Sequence, residues 1–501
     1  MFTYNVQRVL VLLLILTIKK LPNCLTCAKL SPQPPPALDN LEDGQFRHFE
    51  SSSDTSSMSK QLDDALIDPK LKENAGDLWI VLVSGIPNGL AYSTESDICR
   101  TYQIAKRNGI PDERIIIFMH DVAGPAHDNT LYNEEGGPNV YVGVPKDYTG
   151  DNWTKENFLD VMRGKEMRRG SRKTLRTKKN DKIFVSFESH GGPGGIAMFG
   201  NGMLKSDELY DTVSYMHHHK MYGKMVVYWM TCFAGAMFDK YSPKYQHKNV
   251  YVVTSQTPYD ESLACEHEHT SDGKIMCSLF GKVWMEYVES VDTSAKTMQL
   301  LYVNLTAETV EDSVGMQVPL EYGDKYMDKA VISDFLGKDH VTKNHSLIKS
   351  SIENEKSVGG YPTMCDSLIY QLKIKLKSAS TQTEAHNLED MIDSIKKTRK
   401  MASSKISAIV EEVSRLQDGN DVDDYDERQV KPNSWQQVYS QMTSNDIKEC
   451  FYQMVTIFKE NCTSVHNGDW CSMTHPTKEF MQLCNSRFSI DLFNSIINRH
   501  C

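Results

Sequence analysis

Two stretches of this chain end in side chains that can make and break acyl bonds. In one, Phe184-Val-Ser-Phe187 runs into Glu188-Ser-His190-Gly191-Gly192; in the other, Val226-Val-Tyr-Trp-Met230 runs into Thr231-Cys232-Phe-Ala-Gly235. A thiol becomes a strong nucleophile when a base within hydrogen-bond reach holds it as thiolate. The glycines after each residue let the backbone approach a substrate closely, and backbone N–H groups there can form an oxyanion hole. Each signal also has a plainer reading. A strand-end cysteine is usually a small buried hydrophobe or half of a disulfide, and a strand-end histidine is often only hydrogen-bonded. On these residues alone, Cys/His catalysis and the plain reading weigh about equally.

The elements that carry them alternate strand and helix. Leu78-Trp-Ile-Val-Leu-Val-Ser84 is a continuous apolar run closed by Gly85, as suits a strand covered on both faces. Arg114–Met119, Lys182–Phe187, Lys224–Met230 and Asn249–Thr254 read as further strands. Helices are expected at Asp97–Asn108, stopped by Gly109, from the cap Thr154 to Met162, and from the cap Ser206 to His217. Such alternation means right-handed crossovers and a mostly parallel sheet. Ligands bind outside the carboxyl ends of such strands, so His190 and Cys232 share a crevice if their strands are neighbours.

One α/β domain is therefore expected over 77–336, then a linker over 337–380 and a helical part over 381–501. Thr383–Leu416 carries apolar residues at helical spacing (Leu388, Met391, Ile392, Ile395, then Ile406, Ile409, Val410, Val413), and the last stretch carries five cysteines. The acidic run Asp418–Glu427 fits no calcium-loop spacing and reads as a solvated linker.

The chain has 501 residues and a net charge of −11, so attraction of the whole molecule to nucleic acid is not expected. Its one strongly apolar run, Val9–Ile18, would reach about 15 Å as a helix against a bilayer core of about 30 Å. It reads as a signal-peptide core within residues 1–28 rather than a membrane span. Residues 29–76, with Pro32-Gln-Pro-Pro-Pro36 and a serine run, read as a disordered pro-segment. Secretory entry places the cysteines in an oxidising compartment, lysosomal, endosomal or extracellular. Asn152, Asn304 and Asn344 stand in glycosylation sequons; a fourth, at Asn461, abuts a cysteine.

Longer stretches are more specific. Asn108-Gly-Ile-Pro-Asp-Glu113, Val140-Tyr-Val-Gly-Val-Pro-Lys-Asp-Tyr-Thr-Gly150, His217-His-His-Lys-Met-Tyr-Gly-Lys-Met225 and Trp284-Met-Glu286, with Cys450, Cys462, Cys484 and Cys501 spaced by 12, 22 and 17 residues, resemble the legumains, asparaginyl endopeptidases of the clan CD cysteine peptidases. The resemblance covers 78 to 501. It implies a caspase-like sheet with His190 as general base and acid, Cys232 as nucleophile, and the N–H groups of Gly191 and Cys232 as oxyanion hole. It also implies the pairs Cys450–Cys484 and Cys462–Cys501, where counting alone leaves three pairings open. It further implies protein or peptide substrates, a C-terminal pro-domain that inhibits until acid and proteolysis release it, cystatin-type inhibitors as partners, and neither metal nor cofactor.

The departures are concentrated where the family reads asparagine. Ala91 stands where legumains have an Asn that steadies the histidine. Ser93 and Thr94 replace an Arg-His pair, Met230 and Ser278 replace two acids, and Glu261 and Ser262 remain nearby. A polar pocket discriminates because a mismatched substrate leaves its buried groups unpaired; Ser93, Thr94, Met230 and Ser278 bring no charge, so a weak or lost preference for asparagine is expected, with Glu261 and Ser262 able to rebuild a different polar pocket. The Thr231–Gly235 text is nearly as close to the GPI transamidase catalytic subunit, a sister family, though no late apolar segment accompanies it.

Other features have plain readings. Arg163–Lys182 holds ten basic and two acidic residues, a solvated loop or a polyanion site. Three adjacent histidines, 217 to 219, point in different directions from a helix end. Cys265 and Cys277 leave a zinc site and a disulfide both open, and Cys99 and Cys365 have no assigned role.

Overall fold

The computed structural model describes residues 76–86, 92–124, 128–193, 195–200, 202–265, 269–270, 273–338, 361–417, 445–463, 471, 479–484 and 489–501. The chain divides into two compact units, Met1–Ala65 and Leu66–Cys501, and the described residues all lie in the second. The expected signal peptide, pro-segment, acidic run at 418–427, Ala91 and Asn344 lie outside the described residues.

Six strands form the main sheet: β1 (Leu78–Ser84), β2 (Ile115–Phe118), β3 (Lys182–Glu188), β7 (Lys224–Met230), β8 (Val250–Thr254) and β9 (Leu320–Gly323), in the order β2-β1-β3-β7-β8-β9. The first five are parallel and β9 joins antiparallel. Between β3 and β7, β4 (Gly191–Gly192), β5 (Ile196–Phe199) and β6 (Gly202–Lys205) make a small antiparallel sheet. Neither it nor β9 was legible in the sequence, because two- and four-residue strands show no periodicity.

The continuous apolar runs follow from burial on both faces. Alternate residues of each strand enter different cores: Ile80, Leu82, Phe184, Val226 and Tyr228 on one side, Val81, Val83, Val185, Val227 and Trp229 on the other. The first face is covered by α1 (Tyr92–Arg107), α4 (Leu279–Ser290) and α5 (Met298–Asp312), and the second by α2 (Lys155–Met162) and α3 (Ser206–His218). The Thr154 hydroxyl caps α2 by accepting from the Asn157 N–H. The expected cap of α3 shifts by one: Ser206 is its first helical residue, and the Glu208 carboxylate accepts from the Lys205 N–H, 2.9 Å. Helix α1 starts at Tyr92, five residues before the expected Asp97, its polar first turn buried under neighbouring segments rather than facing water.

The C-terminal part is helical: α6 (Ser367–Lys377), α7 (Gln382–Gln417), α8 (Asn445–Asn461), α9 (Phe480–Cys484) and α10 (Ile490–His500). Helix α6 lies inside the stretch read as linker. The apolar stripe of α7 splits. Ile392, with Leu388 and Ile395 beside it, packs on Ile369 and Leu372 of α6. Ile406, Ile409, Val410 and Val413 are buried with Phe451, Phe458, Phe480 and Phe493. Met391, expected on the stripe, is half exposed. Disulfides Cys450–Cys484 and Cys462–Cys501 tie α8 to α9 and to the end of the chain.

Candidate active site

Strands β3 and β7 are direct neighbours, with Glu188 opposite Met230. His190 and Cys232 each lie two residues beyond that pair, so both stand at the same end of the sheet. Their loops touch: a Cβ on Gly191 would come within 2.1 Å of the Cys232 carbonyl oxygen and 2.8 Å of the Thr231 side chain. Only glycine fits there. The residue after the cysteine, Phe233, is held at φ 55°, a region costly for a bulky side chain, and its N–H donates to the Asp260 carbonyl, 2.8 Å. That turn carries the chain out of β7 directly below the thiol.

Both reactive side chains are covered. Cys232 is fully buried; burial, then the nearby Glu261 charge, raises its thiol well above the ordinary range, and the backbone N–H groups of Ser262 and Cys365 offset part of that rise. His190 is brought down to about 4, first by burial and then by the Arg399 guanidinium of α7. Its Nδ1 has no hydrogen-bond partner among the described residues. Such a histidine is neutral at any physiological pH, so no thiolate–imidazolium pair is set up in this state.

The cover is residue 365 itself. Cys365, without a role in the sequence reading, is bonded to Cys471. Its sulfur lies within 4.8 Å of a His190 ring nitrogen and, on another side, within 4.8 Å of the Cys232 sulfur. Arg399 locks this segment from α7, donating to the Cys365 carbonyl at 2.7 Å and the Asp366 carboxylate at 2.6 Å. The two sulfur-bearing clusters, His190/Cys365/Cys471 and Cys232/Glu261/Cys365, have the spread of a metal site, but the disulfide occupies two of their donors. The other open pairing resolves the same way: Cys265 and Cys277 form a disulfide. Cys99 is a buried free thiol in α1.

The expected pocket residues fall into place unequally. Glu261 and Ser262 flank Cys232. The Ser262 hydroxyl is spent internally, donating to the Thr231 carbonyl at 2.8 Å and pairing with Ser255 at 2.6 Å. Ser278 caps α4 and donates through Oγ to Asp97, 2.7 Å, so it serves the core and not a pocket wall. Thr94 pairs with Ser84, 2.7 Å, and Ser93 and Met230 are buried. Sequence reasoning missed one buried pair here. Asp97 of α1 faces Glu188 at the end of β3; burial, and for Glu188 the Asp97 charge, raise both carboxyls. Both Glu188 oxygens lack a donor among the described residues, as one carboxyl against another must unless they share a proton. The signal was available: Met230 stands where the resemblance expects an acid, and its cross-strand partner in this chain is Glu188. Arg399 and the Cys365–Cys471 bond had no signal beyond unassigned cysteines.

Asn152 closes a short 3-10 turn, and Asn304 lies on α5; both are partly exposed. The basic stretch is an exposed loop pinned by buried Met167, Thr174 and Leu175.

A thiol and an imidazole stand at adjacent parallel strand ends, on a sheet sandwiched by helices, and likeness to known peptidases makes the chain a cysteine-type endopeptidase. Residues 78–338 match the Peptidase C13 family, and the chain belongs to that family. Legumain of Bos taurus is 30% identical over 86% of this chain and 94% of its own length. Legumain of Mus musculus is 29% identical over 86% and 93%, and the vacuolar-processing enzyme delta-isozyme of Arabidopsis thaliana 28% over 88% and 93%. Among solved structures, caspase-1 from Spodoptera frugiperda covers 53% of this chain and 91% of its own at 14% identity and TM-score 0.33, a likeness on which nothing further rests.

Proposed function

We propose that this chain is the latent form of a thiol endopeptidase that uses His190 and Cys232, held shut by its own helical C-terminal part. One observation carries the reading: both residues stand at the ends of neighbouring strands, with the Cys365 sulfur within 4.8 Å of each. Once the cover leaves, water reaches the pair, and the desolvation that keeps the thiol protonated and the imidazole neutral is relieved. Cys232 then loses its proton to His190 and attacks the substrate carbonyl. The N–H groups of Gly191 and Cys232 hold the developing oxyanion. His190 returns the proton to the leaving amine, and a water activated by the same imidazole cleaves the thioacyl enzyme. An amine in place of water would give ligation from the same intermediate.

The polar set that would read a P1 asparagine is replaced or turned inward, so asparagine preference is weak. Secretory entry, glycosylation at Asn152, Asn304 and Asn344, and work in an acidic endolysosomal or vacuolar compartment or outside the cell follow from the leader-like start and from relatives named legumain and vacuolar-processing enzyme. Substrates are proteins and peptides; cystatin-type inhibitors are expected partners.

The test compares acid-processed protein with its Cys232→Ser variant on a peptide mixture, with products read by mass spectrometry. Cleavage by the first and not the second is expected. Equal silence from both, with the C-terminal part shown to be gone, would make the chain a peptide-binding relative without turnover.

A further inference from the structure

Residues 361–364 are held against the peptidase part as an added strand. Thr363 pairs antiparallel with Leu263. The Ala264 N–H donates to the Pro362 carbonyl, 2.9 Å, and the Met364 N–H to the Ser262 carbonyl, 2.8 Å. Main-chain pairing to an exposed backbone segment is how extended peptides are recognised irrespective of sequence, with side-chain pockets adding selectivity. The next residue along this strand is Cys365, whose sulfur lies within 4.8 Å of the Cys232 sulfur and whose N–H acts to lower the Cys232 thiol. The peptide bond lying against the nucleophile is therefore Met364–Cys365, and the residue on its acyl side is Met364.

We infer that residues 361–364 lie in the substrate groove in the substrate's own direction, that Met364 fills the P1 position, and that the enzyme selects long unbranched apolar side chains at P1, methionine foremost. The inference rests on the thiol-peptidase reading above and gives it a substrate class.

The surroundings of Met364 favour such a side chain. It is 1% exposed and is part of the apolar core on that side of the sheet, with the strand residue Leu263 paired to its neighbour Thr363. The hydroxyls at the expected pocket positions 94, 262 and 278 already have internal partners. Asp97 accepts from Ser278 and Asn133, so its carboxylate is also committed. An asparagine amide placed here would find those hydroxyls already engaged and would leave its own polar atoms under-satisfied, a cost that a thioether does not incur.

The geometry also explains why the bound segment survives. After Thr363 the chain turns, with the Asp366 N–H on the Thr363 carbonyl at 2.9 Å. The Met364 carbonyl oxygen accepts from the Ser367 hydroxyl at 2.7 Å, at the first residue of α6. That oxygen is thus already engaged in the chain's own turn. On the leaving side, Cys365 is tethered through Cys471, so an amine released there would stay beside the thioacyl and rejoin it.

Two measurements test the inference. In the full-length protein without reductant, the rate of Cys232 carbamidomethylation by iodoacetamide is followed by mass spectrometry. Met364→Asp is expected to raise it about tenfold and Met364→Leu to leave it within about twofold. Melting temperatures confirm that each variant is folded, and Met364→Gly replaces the aspartate variant should that one unfold. A folded Met364→Asp (or Met364→Gly) protein alkylated at the wild-type rate overturns the placement. The acid-processed protein is then given Ac-Tyr-Pro-Thr-X-aminocoumarin peptides with X Met, Leu, Asn, Asp or Lys. Methionine is expected to lead asparagine by at least about tenfold in kcat/KM. Cys232-dependent cleavage led by asparagine overturns the inference and leaves the peptidase standing. No Cys232-dependent cleavage of any peptide defeats the peptidase reading and with it the claimed selectivity, while the alkylation rates still decide where Met364 sits.

Discussion

The two ends of the described chain are built on opposite principles. The sheet that carries His190 and Cys232 is held by backbone pairing between largely buried strands; all seven residues of β7 are buried. The helical part that covers those residues is held to itself by two disulfides, Cys450–Cys484 and Cys462–Cys501. It is held to the sheet by a third element, the segment at 361–366, and by peripheral ion pairs such as Lys240–Glu449 and Lys205–Glu460. On the function proposed above, a platform that must keep its geometry uses structure that does not come apart locally, and a cover that must leave uses contacts that can be cut, titrated or reduced. The comparison sharpens when each kind of contact is removed in turn.

The largest effect is expected at the platform. His190→Ala in the processed enzyme should lower kcat/KM by about 10²–10⁴-fold, the usual worth of a positioned general base, without lowering the melting temperature by more than a few degrees. A similar loss of activity and of folding together would mean that His190 is a core residue and not a base. Next comes the cover's covalent tie. Cys365 and Cys471 are 106 residues apart in sequence, and a cross-link closing so long a loop stabilises by about 4–5 kcal/mol in the chain-entropy view. Cys471→Ala should therefore bring forward a separate, earlier unfolding step of the helical part in urea, with the sheet's transition unmoved. One undivided transition, shifted as a whole, would mean that platform and cover are not separate units of stability.

Acid should act on the cover through His190. In water a histidine takes its proton near pH 6.5; under the cover this one does so at about 4. Between those values the uncovered state binds more protons than the covered one. The cover is then fully held above about pH 6.5, weakens as pH falls, and has lost the whole contribution, about 3 kcal/mol, by about pH 4. Arg399 adds to this, since its guanidinium opposes the imidazolium while also gripping Cys365 and Asp366. Release of the processed C-terminal part, followed by gel filtration across this range, should lose most of its pH slope in His190→Gln. A slope unchanged by that substitution would assign acid sensitivity to carboxylates elsewhere.

The same division explains what the sequence made legible. Strands β1, β3, β7 and β8 announce themselves because each is a closed apolar run in one stretch of chain, and their ends locate His190 and Cys232 without any tertiary knowledge. The pairing of Cys450 with Cys484 and of Cys462 with Cys501 came from family likeness, not from spacing. What remained hidden depends on residues far apart in sequence meeting at one point. Arg399 reaches Cys365 across α6 and α7, Cys365 finds Cys471, and Asp97 meets Glu188 from another element. Ser278 misled for the same reason: alignment placed it in a pocket wall, while its hydroxyl is committed to capping α4 and to Asp97. Single positions carry no mark of such meetings; only the fold supplies them.

The smallest effect is expected where acid-labile ion pairs between the two parts would most naturally be sought. Glu449 and Glu460 are about half exposed, as are partly their lysines. Exposed pairs are worth about 0–1 kcal/mol and are screened by salt. Lys240→Ala and Lys205→Ala, singly, should each shift the midpoint of cover release by no more than that amount, and the double variant by roughly the sum. The shift should fade further at high salt, while the contribution of His190, buried beneath Cys365, should persist there. If the lysine variants instead matched His190→Gln in size, the cover would be an electrostatic one, and the buried histidine would be a bystander to its release.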